Sequence, residues 1–186
     1  MPCVAGAAAA ATSRKTSISP SSFAAVFKKD GHRRPGARAP TDPSLTVRSL
    51  SLPRHPHSQA RITSHNPSVI ILSGGPNSVH VEGAPSVPDN FFDHCQTNSI
   101  PVLGICYGMQ LIVQLMGGEV KPADKAEYGR MPVHVVRDSV LYGEEMDKMQ
   151  MVWMSHGDAA VKLLDGFKCV GQSDAGAVVA IEHAGR

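Results

Sequence analysis

From Val69 onward the chain alternates short apolar runs with polar, glycine-bearing stretches. Val69-Ile70-Ile71-Leu72 is an unbroken run dominated by β-branched side chains, the pattern of a strand buried on both faces in a parallel sheet. A second short apolar run, Ile100 to Leu103, reads as another buried strand. After Gly104-Ile105-Cys106-Tyr107-Gly108 the period changes, and Met109, Leu111, Ile112, Leu115 and Met116 recur at helical spacing until Gly117-Gly118 stops them. Between the two strands, Val81 to Pro88 predicts a loop, and Asp89 caps a helix to about Thr97 that buries Phe91, Phe92 and Cys95. Further on, residues 119–131 predict a polar loop carrying Glu127-Tyr128-Gly129-Arg130. Val133–Val136, Met151–Met154, Phe167–Val170 and Ala177–Ile181 predict short strands, and Ser155-His156-Gly157-Asp158 a loop after the strand of Trp153. Strand, helix, strand, helix with apolar strands predicts an α/β fold with a doubly wound, mostly parallel sheet.

Residues 1–63 follow another pattern. Ala5 and Ala7–Ala11 are low in complexity, Ser, Arg and Pro dominate afterwards, and no acid precedes Asp30. Five prolines between Pro35 and Pro56 leave little room for regular structure, although Leu45 to Leu52 suits a short strand. The expectation is an irregular extension over residues 1–63 and a folded unit over residues 64–186. An Ala/Ser/Arg-rich, acid-poor start also has the composition of an organelle transit peptide. A cytosolic location is expected, with a plastid as the alternative if that segment is a transit peptide.

Charge sharpens the division. Residues 1–66 carry ten Lys/Arg and two acids, and residues 67–186 carry eight Lys/Arg and fourteen acids. The overall net charge of +2 therefore conceals a basic start and an acidic remainder, which argues against nucleic acid as a partner. No apolar run approaches membrane-spanning length. Cys3, Cys95, Cys106 and Cys169 form no Cys-x-x-Cys pair and no zinc-spaced cluster, so free thiols and no metal site are expected.

The candidate chemistry lies where strand meets helix. Strand, Gly-x-Cys-x-Gly, helix is a nucleophile elbow with cysteine in place of serine. The two glycines admit a turn where a Cβ would clash. Cys106 stands at the start of a helix, where unpaired N–H groups favour thiolate, so a lowered thiol pKa is expected. Ser73-Gly74-Gly75-Pro76-Asn77-Ser78 follows a buried strand at once, the place where open α/β sheets bind ligands. His156 suits either a cap or a site role, whereas His134 and His183 read as structural.

These motifs, Ser-Gly-Gly-Pro (73–76), Gly-Ile-Cys-Tyr-Gly-Met-Gln (104–110), Glu-Tyr-Gly-Arg (127–130) and Ser-His-Gly-Asp (155–158), stand in the order and spacing of a class I glutamine amidotransferase. From about Ser64 to Ile181 the chain resembles that family, and within it the amidotransferase domain of the GMP synthases. The resemblance implies that Cys106 is the nucleophile attacking the side-chain amide of L-glutamine, releasing ammonia and leaving a glutamyl thioester for hydrolysis. It implies an oxyanion hole from the backbone N–H groups of Gly75 and Tyr107. It also implies a glutamine pocket lined by Asn77, Gln110, Ser155, Gly157 and Asp158. The partner it implies is a synthetase domain that uses ATP and magnesium to adenylylate XMP, which ammonia converts to GMP. No cofactor is implied for this chain.

Two departures set further expectations. The family's domain opens with a strand and helix that residues 1–60 do not match, so the sheet should lack its first strand. The family's catalytic histidine and glutamate lie in His-Pro-Glu, a motif found nowhere in this sequence. The strand that carries it should pair with Ala177–Ile181, which is therefore expected to leave an unpaired edge. This chain alone is expected to lack useful glutaminase or GMP synthase activity. Two alternatives are a non-catalytic glutamine-binding or interaction remnant, and a cysteine hydrolase using His156 or His183 as base.

Overall fold

The computed structural model describes residues 3–6, 24–29, 45–50, 57–136, 139–142, 147–163 and 165–183. Up to residue 59, and at 124, 125 and 156, that description is of the backbone. Within it, nine strands form one sheet in the order β3-β2-β4-β5-β1-β9-β8-β6-β7, joined by three helices. The strands are β1 (Cys3–Gly6), β2 (Ala24–Lys29), β3 (Leu45–Leu50), β4 (Val69–Leu72), β5 (Val102–Ile105), β6 (Glu119–Val135), β7 (Met149–Lys162), β8 (Phe167–Ser173) and β9 (Val178–His183). The helices are α1 (His57–His65), α2 (Phe91–Thr97) and α3 (Tyr107–Leu115).

The α/β architecture stands as the sequence predicts, and its parallel heart is β4-β5-β1. The parallel character stops there, because the other six pairings are antiparallel. Three of the six, β2–β3, β6–β7 and β8–β9, join strands consecutive in the chain, as antiparallel pairing allows.

The stretch read as an irregular extension contributes β1, β2, β3 and α1. Leu45–Leu50 is the strand its apolar pattern suggests. The expected gap in the sheet is filled: β1 lies between β5, to which it runs parallel, and β9, to which it runs antiparallel. Short runs such as Cys3-Val4-Ala5 need no amphipathic pattern of their own when both neighbouring strands supply the ladder. The boundary drawn at residues 63/64 falls inside α1, whose Ile62 is fully buried in the core. Residues 7–23 and 30–44 lie outside the described residues. The unpaired edge expected at Ala177–Ile181 is likewise absent, since β9 is flanked by β1 and β8.

Both predicted helices form, each closed by a Schellman motif. In α2 the Ser99 N–H bonds Gln96 and the Ile100 N–H bonds Cys95, with Ser99 at φ 53°. In α3 the Gly117 N–H bonds Gln114 and the Gly118 N–H bonds Val113, with Gly117 at φ 91°. The N-cap of α2 is Asn90 rather than Asp89, and it makes no side-chain capping bond. Ile70, Leu72, Phe91, Cys95, Val102, Met109 and Ile112 form the centre of the core, which fixes α2 and α3 against the ends of β4 and β5.

Candidate active site

The elbow is set by contact as much as by conformation. Cys106 itself takes φ 53° and ψ −111°, a region that costs a non-glycine residue of order 1–3 kcal/mol and persists only where the surroundings impose it. Gly104 and Gly108 have no positive φ; they are demanded by close approach. A Cβ on Gly104 would stand 2.6 Å from the backbone of Gly108 and Met109, and a Cβ on Gly108 would stand 2.1 Å from the Leu72 carbonyl oxygen. The first turn of α3 thus rests directly on β4 and β5, and the half-buried Cys106 is held at the junction.

Cys106 Sγ lies 4.0 Å from the Ser155 carbonyl oxygen of β7. The expectation of a lowered thiol pKa is overturned. Burial pushes the Cys106 thiol up, and the hydrogen bond with the Tyr107 backbone lowers it by less. A helix-end contribution is of order 0.3–1 kcal/mol, and removal from water works against it.

The Gly-rich loop passes over this cysteine. A Cβ on Gly74 would meet Cys106 Cβ at 3.3 Å and the Ile105 carbonyl oxygen at 3.5 Å. Gly75 beside it is exposed and open, with nothing within 4 Å of a would-be Cβ, and Asn77 is also exposed. The neighbouring loop is tied to the elbow by the buried Tyr107, whose hydroxyl donates to the Pro85 carbonyl oxygen at 2.6 Å.

On the other side the two downstream motifs meet as strands. Both were expected as loops, yet Glu127-Tyr128-Gly129-Arg130 lies in β6 and Ser155-His156-Gly157-Asp158 in β7. Their polarity hid the strands, because a long hairpin with one face near a site need not show an apolar run. Glu127 pairs with His156 and Tyr128 with Ser155, and the ladder breaks between Pro122 and Glu127.

Gln110 joins this hairpin to the elbow. Its buried amide donates to the Asp158 carbonyl oxygen at 2.9 Å. Pro122 stands opposite Asp158 in the ladder and has no N–H to give, so the helix side chain supplies a donor. The site motif revealed Gln110 as a candidate; its fastening role appears only once the strand register is known.

The structure therefore brings together Cys106, Tyr107, Gly74-Gly75, Gln110 and the backbone of Ser155–Asp158. Gly157 is exposed, and a Cβ there would meet only the Tyr128 hydroxyl at 3.8 Å. His183 is engaged elsewhere, its ring edge-on to Phe167 with centroids 5.1 Å apart. His134 pairs with Asp174 at 2.6 Å. The side chain of His156 lies outside the described residues. Among the described residues Cys95, Cys106 and Cys169 form no disulfide. Among the described residues no cluster of His, Cys, Asp and Glu could hold a metal ion, and no helix is long and apolar enough to cross a membrane.

Comparison with known proteins agrees with this geometry. The GMP synthase [glutamine-hydrolyzing] of Thermobifida fusca is 46% identical over 120 residues, covering 64% of this chain and 22% of its own. The GMP synthase [glutamine-hydrolyzing] of Prochlorococcus marinus is 52% identical over 103 residues, 55% of this chain and 19% of its own. The chain thus spans about a fifth of the length of the curated relatives it matches. A solved glutamine amidotransferase from Thermotoga maritima shares the fold, with TM-score 0.51 and 24% identity over 60% of this chain and 50% of that one. The family model for class-I glutamine amidotransferases matches residues 43–186, and the chain belongs to that family.

Proposed function

We propose that this chain is the glutamine-hydrolysing part of a GMP synthase. Cys106 Sγ attacks the side-chain amide carbon of L-glutamine, its proton passes to the departing nitrogen as ammonia leaves, and water then cleaves the glutamyl thioester to glutamate. The Tyr107 and Gly75 N–H groups receive the carbonyl oxygen as it gains charge. Asn77, Gln110, Ser155, Gly157 and Asp158 line the glutamine pocket. The single observation carrying this reading is the strained Cys106 at φ 53°, with a backbone bond from Tyr107 and Gly74 packed against its Cβ.

The ammonia serves a synthetase unit corresponding to the remaining length of the relatives, where ATP and magnesium activate XMP for amination to GMP. A cytosolic setting fits that chemistry.

The test is mass-mapped labelling by an electrophilic glutamine analogue, a diazoketone. Cys106 is labelled ahead of Cys95 and Cys169, glutamine slows the reaction, and Cys106→Ser abolishes it. Equal labelling of Cys95, or no protection by glutamine, refutes the assignment.

A further inference from the structure

The loop between β4 and α2, residues 73–90, is held at two points, and both holds come from neighbouring residues of the elbow. At its near end Gly74 lies against Cys106 Cβ. At its far end the Tyr107 hydroxyl donates to the Pro85 carbonyl oxygen at 2.6 Å. Between the two, residues 74–77 and 80–83 are exposed, while Val79 leans on the core. The segment folds on itself, with the Val81 N–H bonded to the Ser78 carbonyl and the Ala84 N–H to the Val81 carbonyl. Gly75 and Asn77 ride on it. The far hold is stiff, because its ring fixes φ at Pro85 and confines Ala84 before it to extended conformations. Gly83 takes φ 75°, which side chains rarely adopt, so the chain turns there and is rigid beyond it. The Tyr107 side chain is buried and needs an acceptor, and burial pushes its hydroxyl pKa up, so it remains a donor.

We propose that Tyr107 is a positioning residue for glutamine: by holding Pro85, its hydroxyl fixes the loop that carries Gly75 and Asn77 and so sets glutamine affinity, without acting on the sulfur. This rests on the glutamine reading of the site given above. Tyr107 then joins both sides of the place where the carbonyl oxygen sits, since its own N–H is one donor and the loop it holds carries the other. Removing the hydroxyl oxygen frees the half-buried Pro85 carbonyl to turn to water, and the exposed segment between Gly75 and Gly83 loses its far hold. The elbow does not follow, because Gly104 and Gly108 pack it directly on β4 and on the first turn of α3. Affinity for a ligand that spans loop and elbow falls, and access of a small reagent to the thiol does not change.

The experiment uses the full 186-residue chain. Cys106 is alkylated with limiting iodoacetamide over a series of glutamine concentrations, and the labelling is mapped by mass. Without glutamine, Tyr107→Phe is labelled at the parent's rate. The glutamine concentration that halves the rate rises about threefold to tenfold, the worth of one net hydrogen bond. Hydrogen exchange quickens over residues 78–86 and not over residues 110–113 of α3. Gly83→Ala strains the loop from its own side, with open space around it and no contact with the core, and raises the half-protecting concentration in the same direction. Val170→Ala, a truncation of a fully buried β8 side chain that lowers stability, changes neither reading. Half-protection unchanged in Tyr107→Phe while glutamine protects the parent overturns the proposal and leaves the glutamine reading standing. So does an equal rise in Val170→Ala, which reduces the effect to stability, or slower labelling of Tyr107→Phe without glutamine, which places the effect on the elbow itself. A parent that glutamine does not protect refutes the glutamine reading, and this proposal with it.

Discussion

Gly108→Ala tests whether the elbow is held by direct contact between α3 and β4. The added Cβ falls 2.1 Å from the Leu72 carbonyl oxygen, 2.7 Å from its carbonyl carbon and 2.8 Å from its Cβ. Reaching even the 3.0 Å that real Cβ contacts observe requires a shift of nearly an ångström. No flexible side chain can absorb it, since Leu72 is a core strand residue paired with Gly104 of β5. Overpacking of this kind costs typically 1–3 kcal/mol and sometimes more. Against it stands the gain of about 1 kcal/mol from alanine over glycine within a helix. A steric cost at the upper end leaves a net loss of about 2 kcal/mol or more, out of the 5–15 kcal/mol that a domain usually has. Urea denaturation followed by far-UV circular dichroism measures it, with Gly75→Ala as the control. Gly75 has open space and no positive φ, so its substitution stays within about 0.5 kcal/mol of the parent. A Gly108→Ala chain as stable as the parent, or more so, refutes the contact argument.

Two further outcomes follow from the site. Because burial holds the Cys106 pKa up, its alkylation profile lies at higher pH than that of free cysteine. The same shift makes a stability contribution present below the unfolded-state thiol pKa and lost as pH rises through the folded-state value; Cys106→Ala, compared by denaturation across the alkaline range, shows it, and a parent gaining ground with pH would contradict it. Gln110→Leu leaves the Asp158 carbonyl without its helix donor and costs about 1–3 kcal/mol. Hydrogen exchange should then quicken at residues 158–160 more than in β8, and uniform exchange would count against the fastening role.

What the sequence revealed, and what it hid, divides by how local the cause is. The β4 and β5 runs, the helical period of α3 and its Gly117-Gly118 stop are written within a few neighbouring residues and could be read directly. The cysteine elbow, too, is a local pattern. The β6 and β7 segments carrying Glu127-Tyr128-Gly129-Arg130 and Ser155-His156-Gly157-Asp158 were hidden because a strand is completed by its partner. Their pairing joins Glu127 to His156 and Tyr128 to Ser155, 29 and 27 positions apart, and no window of neighbours contains it. The strands β1 and β2 were hidden for the same reason, in a stretch whose Ala, Ser and Pro content dominates any average. Gln110 could be found as a candidate by motif, but its bond to Asp158 depends on a proline 36 residues before that aspartate lying opposite it.

The thiol shows how two local effects were ranked in the wrong order. The helix start and the Tyr107 backbone bond favour thiolate, as the elbow pattern implies, yet burial of the sulfur wins. The consequence for the proposed chemistry is specific. Among the described residues the Tyr107 backbone is the contact that lowers the thiol pKa, and the same N–H is assigned to the oxyanion hole. One N–H cannot serve sulfur and oxygen at full strength together. When the glutamine carbonyl oxygen takes it, the thiolate loses its stabilising bond while substrate excludes more water, and both changes push the pKa further up. The proposed attack therefore calls for a general base aligned on Cys106 as substrate arrives. The elbow supplies position and charge stabilisation, and the helix start cannot replace the base.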